Sequence, residues 1–214
     1  PLILDRQITQ QVDLPLVGRI WLGIDASGEG KDTTRWVARD RFMAKVIATE
    51  TTSNDKTIAK KTYDIIKELG IKPQDVVVGS FGVGADVRAE LLLLDHTMDI
   101  QTVQEQSEPT GDDYLNKRAE MCFRGRDWLI RGGALAGDEF KKEVTTFQYK
   151  NNARGKKQIL DKPHLKETLG RSPDRADAFF MTFAYDDSLD MHSNDSAQGR
   201  VIWKTTQNDL NAGI

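Results

Sequence analysis

Two carboxylates three residues apart open a stretch that otherwise reads as a buried helix. The segment Gly170-Arg171-Ser172-Pro173-Asp174-Arg175-Ala176-Asp177-Ala178 has a good N-cap in Ser172 and, in Pro173, a residue suited to the first helical position. Asp174 and Asp177 then share one helix face. Ala178, Phe179, Phe180, Met181 and Phe183 beyond them are apolar. Charge among such neighbours is costly unless something pairs with it. The acids can favour the positive end of the helix dipole, or they can hold a divalent metal. The second role needs a further carboxylate from elsewhere in the chain.

Asp25 is the candidate. Arg19-Ile20-Trp21-Leu22-Gly23-Ile24-Asp25 is a short apolar run closed by an acid, followed by Ala26-Ser27-Gly28-Glu29-Gly30-Lys31-Asp32. The run reads as a buried strand and the glycine-rich stretch as a turn. An acid ending a central strand, beside a helix-borne acid, is how many phosphoryl-transfer enzymes hold Mg²⁺ or Mn²⁺. Asp25 can equally be a turn former, and Asp32 a plain hairpin residue. The glycines do not make a P-loop: Asp25 stands where its first glycine belongs, and Asp32 where Ser or Thr must follow Lys31. Gly82-Val83-Gly84 is only a fragment of a dinucleotide fingerprint, because Val87 fills the third glycine position.

The elements that must position these acids alternate. Three strands fall within about residues 19 to 50. Ile58, Thr62, Ile65, Ile66 and Leu69 make a helical stripe closed by Gly70. Asp75 to Val78 is a buried strand, Asp86 to Leu94 a helix entered from the Gly82-Val83-Gly84 turn, and Asp99 to Val103 another strand. A long helix is expected over 112–130 and a further one over 138–147. Residues 147–160 read as a hairpin tipped by Asn151-Asn152-Ala153-Arg154-Gly155, and the Ser172 helix follows. Residues 1–18 read as a linker or leading segment, 19–186 as the domain, and 187–214 as a polar, flexible tail. Val201-Ile202-Trp203 is an apolar island in that tail. Strands first, then strands alternating with helices, point to an α/β fold with a mixed sheet.

Composition sets outer limits. A length of 214 residues, 38% hydrophobic and 29% charged, fits a soluble globular chain with room for one good core. No apolar run reaches the ~20 residues of a membrane span, and Pro1-Leu2-Ile3-Leu4-Asp5-Arg6 lacks a signal-peptide pattern. The single cysteine, Cys122, excludes an internal disulfide and suits a reducing compartment. With three scattered histidines, it argues against zinc. Net charge is −3, yet residues 141–166 carry a surplus of six positive charges. Lys141, Lys150, Arg154, Lys156 and Lys157 are the candidates for gripping a phosphodiester backbone. An ordinary solvated loop is the alternative.

Four pieces in order resemble the nuclease domain of the large terminase subunit of tailed bacteriophages, a ribonuclease H-like fold. They are Gly23-Ile24-Asp25 with Gly30-Lys31-Asp32, Val76-Val77-Val78 leading into Phe81-Gly82-Val83-Gly84-Ala85-Asp86-Val87, Asn116-Lys117-Arg118-Ala119-Glu120-Met121, and the Gly170 to Ala178 segment. The match covers about residues 19 to 185. The resemblance implies a ribonuclease H-like mixed β-sheet flanked by helices, with an auxiliary β-hairpin. It implies a metal-dependent endonuclease that cuts concatemeric double-stranded DNA by two-metal hydrolysis, with two Mg²⁺ or Mn²⁺ ions. Asp25 and Asp177 match the family's metal acids, and Asp174 an accessory position. Partners implied are double-stranded DNA, the ATPase motor domain of the same full-length protein, the portal and the small terminase subunit, with no membrane, in the host cell cytoplasm. One departure stands out. The family's third acid ends the strand before the Gly-x-Gly turn, and Gly79 occupies that place here. Asp75 lies too far back along the strand to replace it, while Asp86 and Ser80 are nearer. The departure keeps open a catalytically impaired DNA-binding or docking module, and a junction resolvase or transposase core is a third reading.

Overall fold

The computed structural model describes residues 1–4, 14–27, 33–51 and 54–185. A six-stranded mixed sheet forms its centre. The strands are β1 (Trp21–Asp25), β2 (Thr34–Arg39), β3 (Met43–Glu50), β4 (Val76–Gly79), β5 (Gln101–Val103) and β6 (Ala134–Leu135), in the order β5-β4-β1-β2-β3-β6. β1, β2 and β3 form an antiparallel meander, and β4 lies parallel to β1 on its other side. β5 and β6 add parallel edges.

Strand alternation sends side chains to two cores. Leu22, Ile24, Trp36, Val76 and Val78 pack with α1 (Asp55–Leu69) and α2 (Val83–Leu94). Val37, Val77 and Val103 face the opposite way, toward α3 (Lys117–Ile130), α4 (Asp138–Thr146), α5 (Lys162–Leu169) and α6 (Asp174–Met181). Phe179, Phe180 and Phe183 fill this second core, with Trp128, Phe140 and Phe147 against their edges. Leu2 and Ile3 are buried here too, and the Leu2 amide bonds the Phe147 carbonyl at 2.8 Å.

Local signals explain most boundaries. Asn54 accepts a hydrogen bond from the Thr57 amide to start α1, and Gly70, left-handed at φ 62°, ends it. The hairpin expected over 147–160 is β7 (Tyr149–Asn151) paired with β8 (Lys157–Ile159). The helix expected from residue 112 begins instead at Lys117. Leu115 donates its amide to the Lys157 carbonyl at 2.9 Å, and Lys157 donates to Asp113 at 2.8 Å. These long-range bonds tie 113–115 to β8, with Tyr114 bridged to Lys157, so Asn116 becomes the cap. α5 and β6 were not expected from the pattern. α6 also starts one residue later than its capping signal predicts. Pro173 takes the cap position and supplies no side-chain bond.

Candidate active site

The acids meet because β1 and α6 approach without side chains between them. A Cβ built on Gly23 would penetrate the Ala178 carbonyl oxygen and come within 3.1 Å of Thr182 Cγ2. Only glycine allows this contact. It sets the first turn of α6, with Asp174 and Asp177, beside the end of β1, where Asp25 stands. Both ends of α6 are anchored from other elements. At its C-terminal end, buried Arg39 donates from Nε to Thr182 Oγ1 at 2.8 Å and from Nη2 to the Thr182 carbonyl at 2.9 Å. At its N-terminus, Glu143 of α4 replaces the missing cap. It accepts from the amides of Arg175 (2.8 Å) and Ala176 (3.1 Å) and pairs with the guanidinium groups of Arg171 and Arg175.

Each acid has a distinct environment. Asp174 accepts from Thr33 Oγ1 at 3.1 Å. Asp177, only 4% exposed, lies between two cations. Its Oδ1 is 3.4 Å from Arg118 Nη2, and its Oδ2 is 3.0 Å from Lys162 Nζ. The second contact lacks hydrogen-bond geometry, which leaves Asp177 Oδ2 a buried acceptor with no hydrogen bond. Burial first, then the Asp177 charge, raises the Asp25 carboxyl well above the usual carboxylate range; Lys162 opposes this, while Asp174 and Glu105 add to it. Burial works against the Lys162 ammonium, but Asp177, Glu105 and Asp25 outweigh it and raise its pKa.

Asp25 and Lys162 border an open cleft of about 350 Å³, lined also by Gly79, Ser80, Phe81 and Glu105; Asp174 and Asp177 lie behind its lining. Register explains Gly79. Ile24 pairs with Val78 in the parallel β1–β4 ladder, so Gly79 falls level with Asp25. A Cβ built on Gly79 meets nothing within 4 Å, so a side chain there would have room. Asp86 is exposed in the first turn of α2 and does not line the cleft. Asp75 lies at the far end of β4, bound by Arg19 at 2.6 Å and 3.0 Å. Asp32, the Gly28 to Lys31 turn and the 187–214 tail lie outside the described residues.

The donor chemistry fits a hard divalent cation: carboxylates are crowded together, and Asp177 Oδ2, ion-paired with Lys162, carries no hydrogen bond. Asp25 and Asp177 are the residues that fit it best. Among the described residues, however, no three His, Cys, Asp or Glu side chains stand close enough to grip an ion as they are.

The basic candidates divide. Lys150 and Arg154 are exposed on the β7–β8 hairpin, with Lys156 half-buried beside them. Lys157 turns inward: its ammonium is 3.2 Å from Asp113 and 5.3 Å from the ring centres of both Tyr114 and Phe123. Lys141 on α4 lies 3.7 Å from Asp138. Sequence reasoning did not single out Glu105, Arg118, Lys162 or Glu143 as site residues. Lys162 is part of the basic stretch and Arg118 part of a quoted motif, but nothing local aims either at Asp177.

No protein-family model matches the chain, and no curated protein matches it. Solved structures do. A variant of the large terminase subunit fragment from bacteriophage Sf6, with calcium, superposes with a TM-score of 0.67 at 20% identity, covering 79% of this chain and 89% of that one. The Sf6 nuclease domain itself gives 0.62 at 20% identity, covering 79% and 89%. The large terminase nuclease from thermophilic phage G20c, with bound magnesium, gives 0.54 at 13% identity, covering 78% and 81%. The fold of this chain is that of the nuclease domain of large terminase subunits, a ribonuclease H-like mixed sheet flanked by helices.

Proposed function

We propose that this chain is the metal-dependent endonuclease domain of a viral DNA-packaging terminase, cutting concatemeric double-stranded DNA. The observation that supports it most is the crowding of Asp25, which lines the cleft, against buried Asp177; burial first, then the Asp177 charge, raises the Asp25 carboxyl pKa. The metal-bound Sf6 and G20c neighbours lend the same reading to the site.

In this reading Asp25, Asp177 and Asp174 hold two Mg²⁺ or Mn²⁺ ions. Bound ions would supply Lewis acidity, activating a water and stabilising charge on the leaving 3′ oxygen. The chain's own groups do the rest. Arg118 and Lys162 pair with Asp177 and hold it in place. Glu143 and Arg39 hold α6 against the sheet, which keeps the acids in register. Lys150, Arg154 and Lys156 on the hairpin, with Lys141 and Lys157 nearer the body, contact the DNA backbone without reading sequence. The ATPase motor of the same full-length protein, the portal and the small subunit are the proposed partners, in the host cytoplasm. No helix among the described residues is long and apolar enough to cross a membrane.

Plasmid nicking with Mn²⁺ tests the proposal. Asp25→Asn should abolish nicking, and unchanged nicking refutes the assignment. Gly79 favours a second reading, a DNA-binding or docking module with impaired catalysis. Wild-type protein that shifts DNA in a gel yet never nicks it at saturating Mn²⁺ would establish that reading. A strong preference for branched over linear duplex would point instead to a resolvase.

A further inference from the structure

We infer that Glu105 supplies the third carboxylate of this site, from the turn after β5 rather than from the vacant position on β4. The inference rests on the metal-dependent nuclease reading above. Two carboxylates are a thin ligand set for Mg²⁺ or Mn²⁺, which need near-complete oxygen shells. The strand next to β1 would be the direct source of a third, but it ends in Gly79, level with Asp25 and facing open space. The next strand over is β5. Gly79 pairs with Val103, and the Ser80 amide bonds the Val103 carbonyl at 2.9 Å. Glu105 stands two residues on, in the turn that follows β5, and its side chain lines the same cleft as Asp25 and Gly79.

Its backbone is firmly held. Arg118 donates its amide to the Glu105 carbonyl at 2.8 Å, and Lys117 to that of Ser107 at 2.9 Å. The same two cations that flank Asp177 flank Glu105. Lys162 Nζ is 3.8 Å from Glu105 Oε1, and Arg118 Nε is 3.8 Å from Oε2. Glu105 and Asp177 thus approach each other around the same two cations, and Asp177 Oδ2, ion-paired with Lys162, still lacks a hydrogen bond. Glu105 is half-buried and lines the cleft with Asp25. Its three side-chain torsions give it the reach to share an ion with Asp177, and the missing side chain at Gly79 leaves the space for it to do so.

The test is Mn²⁺ binding by calorimetry and electron paramagnetic resonance, with nicking run alongside. Glu105→Gln should weaken Mn²⁺ binding by roughly tenfold or more, since even outer contacts to metal ligands are worth about that much. Gly79→Asp placed in the Glu105→Gln background should recover the lost affinity, because it returns one carboxylate to the same cleft from the neighbouring strand. Unchanged Mn²⁺ affinity in Glu105→Gln overturns the inference. So does a folded double variant without recovery. Melting in EDTA checks folding, and Glu105→Ser serves if the glutamine variant unfolds. Asp25→Asn separates the two levels. If it abolishes Mn²⁺ binding while Glu105→Gln does not, only Glu105 loses its role. If Asp25→Asn also binds Mn²⁺ normally, the nuclease reading fails with it.

Discussion

Gly23→Ala should disable the site without touching any charged group. The added methyl would overlap the Ala178 carbonyl oxygen and press to within 3.0 Å of its carbon and 3.1 Å of Thr182 Cγ2. Ordinary contact needs about 3.5 Å or more, so α6 must retreat by on the order of 1 Å. The obstruction is helix backbone, which cannot rotate aside as a side chain does. Overpacking of this kind costs about 1–3 kcal/mol. For a domain of this size, each kcal/mol lowers Tm by about 2–4 °C, so a fall of roughly 2–12 °C is expected. The functional loss should be larger, because the retreating helix carries Asp174 and Asp177 away from Asp25. A misplacement of about 1 Å can cost roughly 100-fold in rate. Gly79→Ala is the matched control, since its Cβ meets nothing within 4 Å. Differential scanning calorimetry and Mn²⁺-dependent nicking read both effects. If Gly23→Ala melts and nicks like the parent, β1 and α6 do not pack as described and the convergence of the acids is wrong.

Three further outcomes follow from the same structure. Glu143→Ala should lower Tm by roughly 6–12 °C: removing one partner of a buried ion pair costs about 3–5 kcal/mol, and the partial exposure of Arg171 and Arg175 sets the lower end. Glu139→Ala, which breaks the exposed pair with Arg171, should leave Tm nearly unchanged, and equal effects in the two variants would sink the capping role of Glu143. Asp25 has a raised folded-state pKa, so the native state holds its proton more tightly than the unfolded state. Metal-free protein should therefore lose stability as pH rises from the unfolded carboxylate range through the folded pKa. Asp25→Asn should flatten that decline in melting experiments with EDTA, and an unflattened curve would place the strain elsewhere. Replacing Lys150, Arg154 and Lys156 together by alanine should weaken DNA binding and make log Kd less steep in log salt; an unchanged salt slope would move the DNA path away from the hairpin.

Much of the architecture was legible along the chain. The apolar run ending in Asp25, the stripe from Ile58 to Leu69 closed by Gly70, and the polar tip of the 147–160 hairpin each follow local rules, and each element is present. The start of α3 was not legible. Backbone bonds to Lys157, distant in sequence, engage Asp113 and Leu115 and leave Asn116 to cap the helix. α5 carried signals that the pattern reading passed over: Pro163 in its first turn, and Gly170, left-handed at φ 71°, at its end. The cap of α6 lay beyond any local rule, because Glu143 reaches it from another helix.

The chain alone determined that acids close a buried strand and open a buried helix, because those roles depend on neighbours a few residues away. It also determined that Gly23 and Gly79 carry no side chain, though not what that absence permits. Only the folded molecule decided that Gly23 admits a helix while Gly79 faces a cleft. The same is true of Lys162 and Arg118 facing Asp177 and Glu105. Coulombic pairing and steric exclusion act over a few ångströms of space, and separation in sequence does not set that distance.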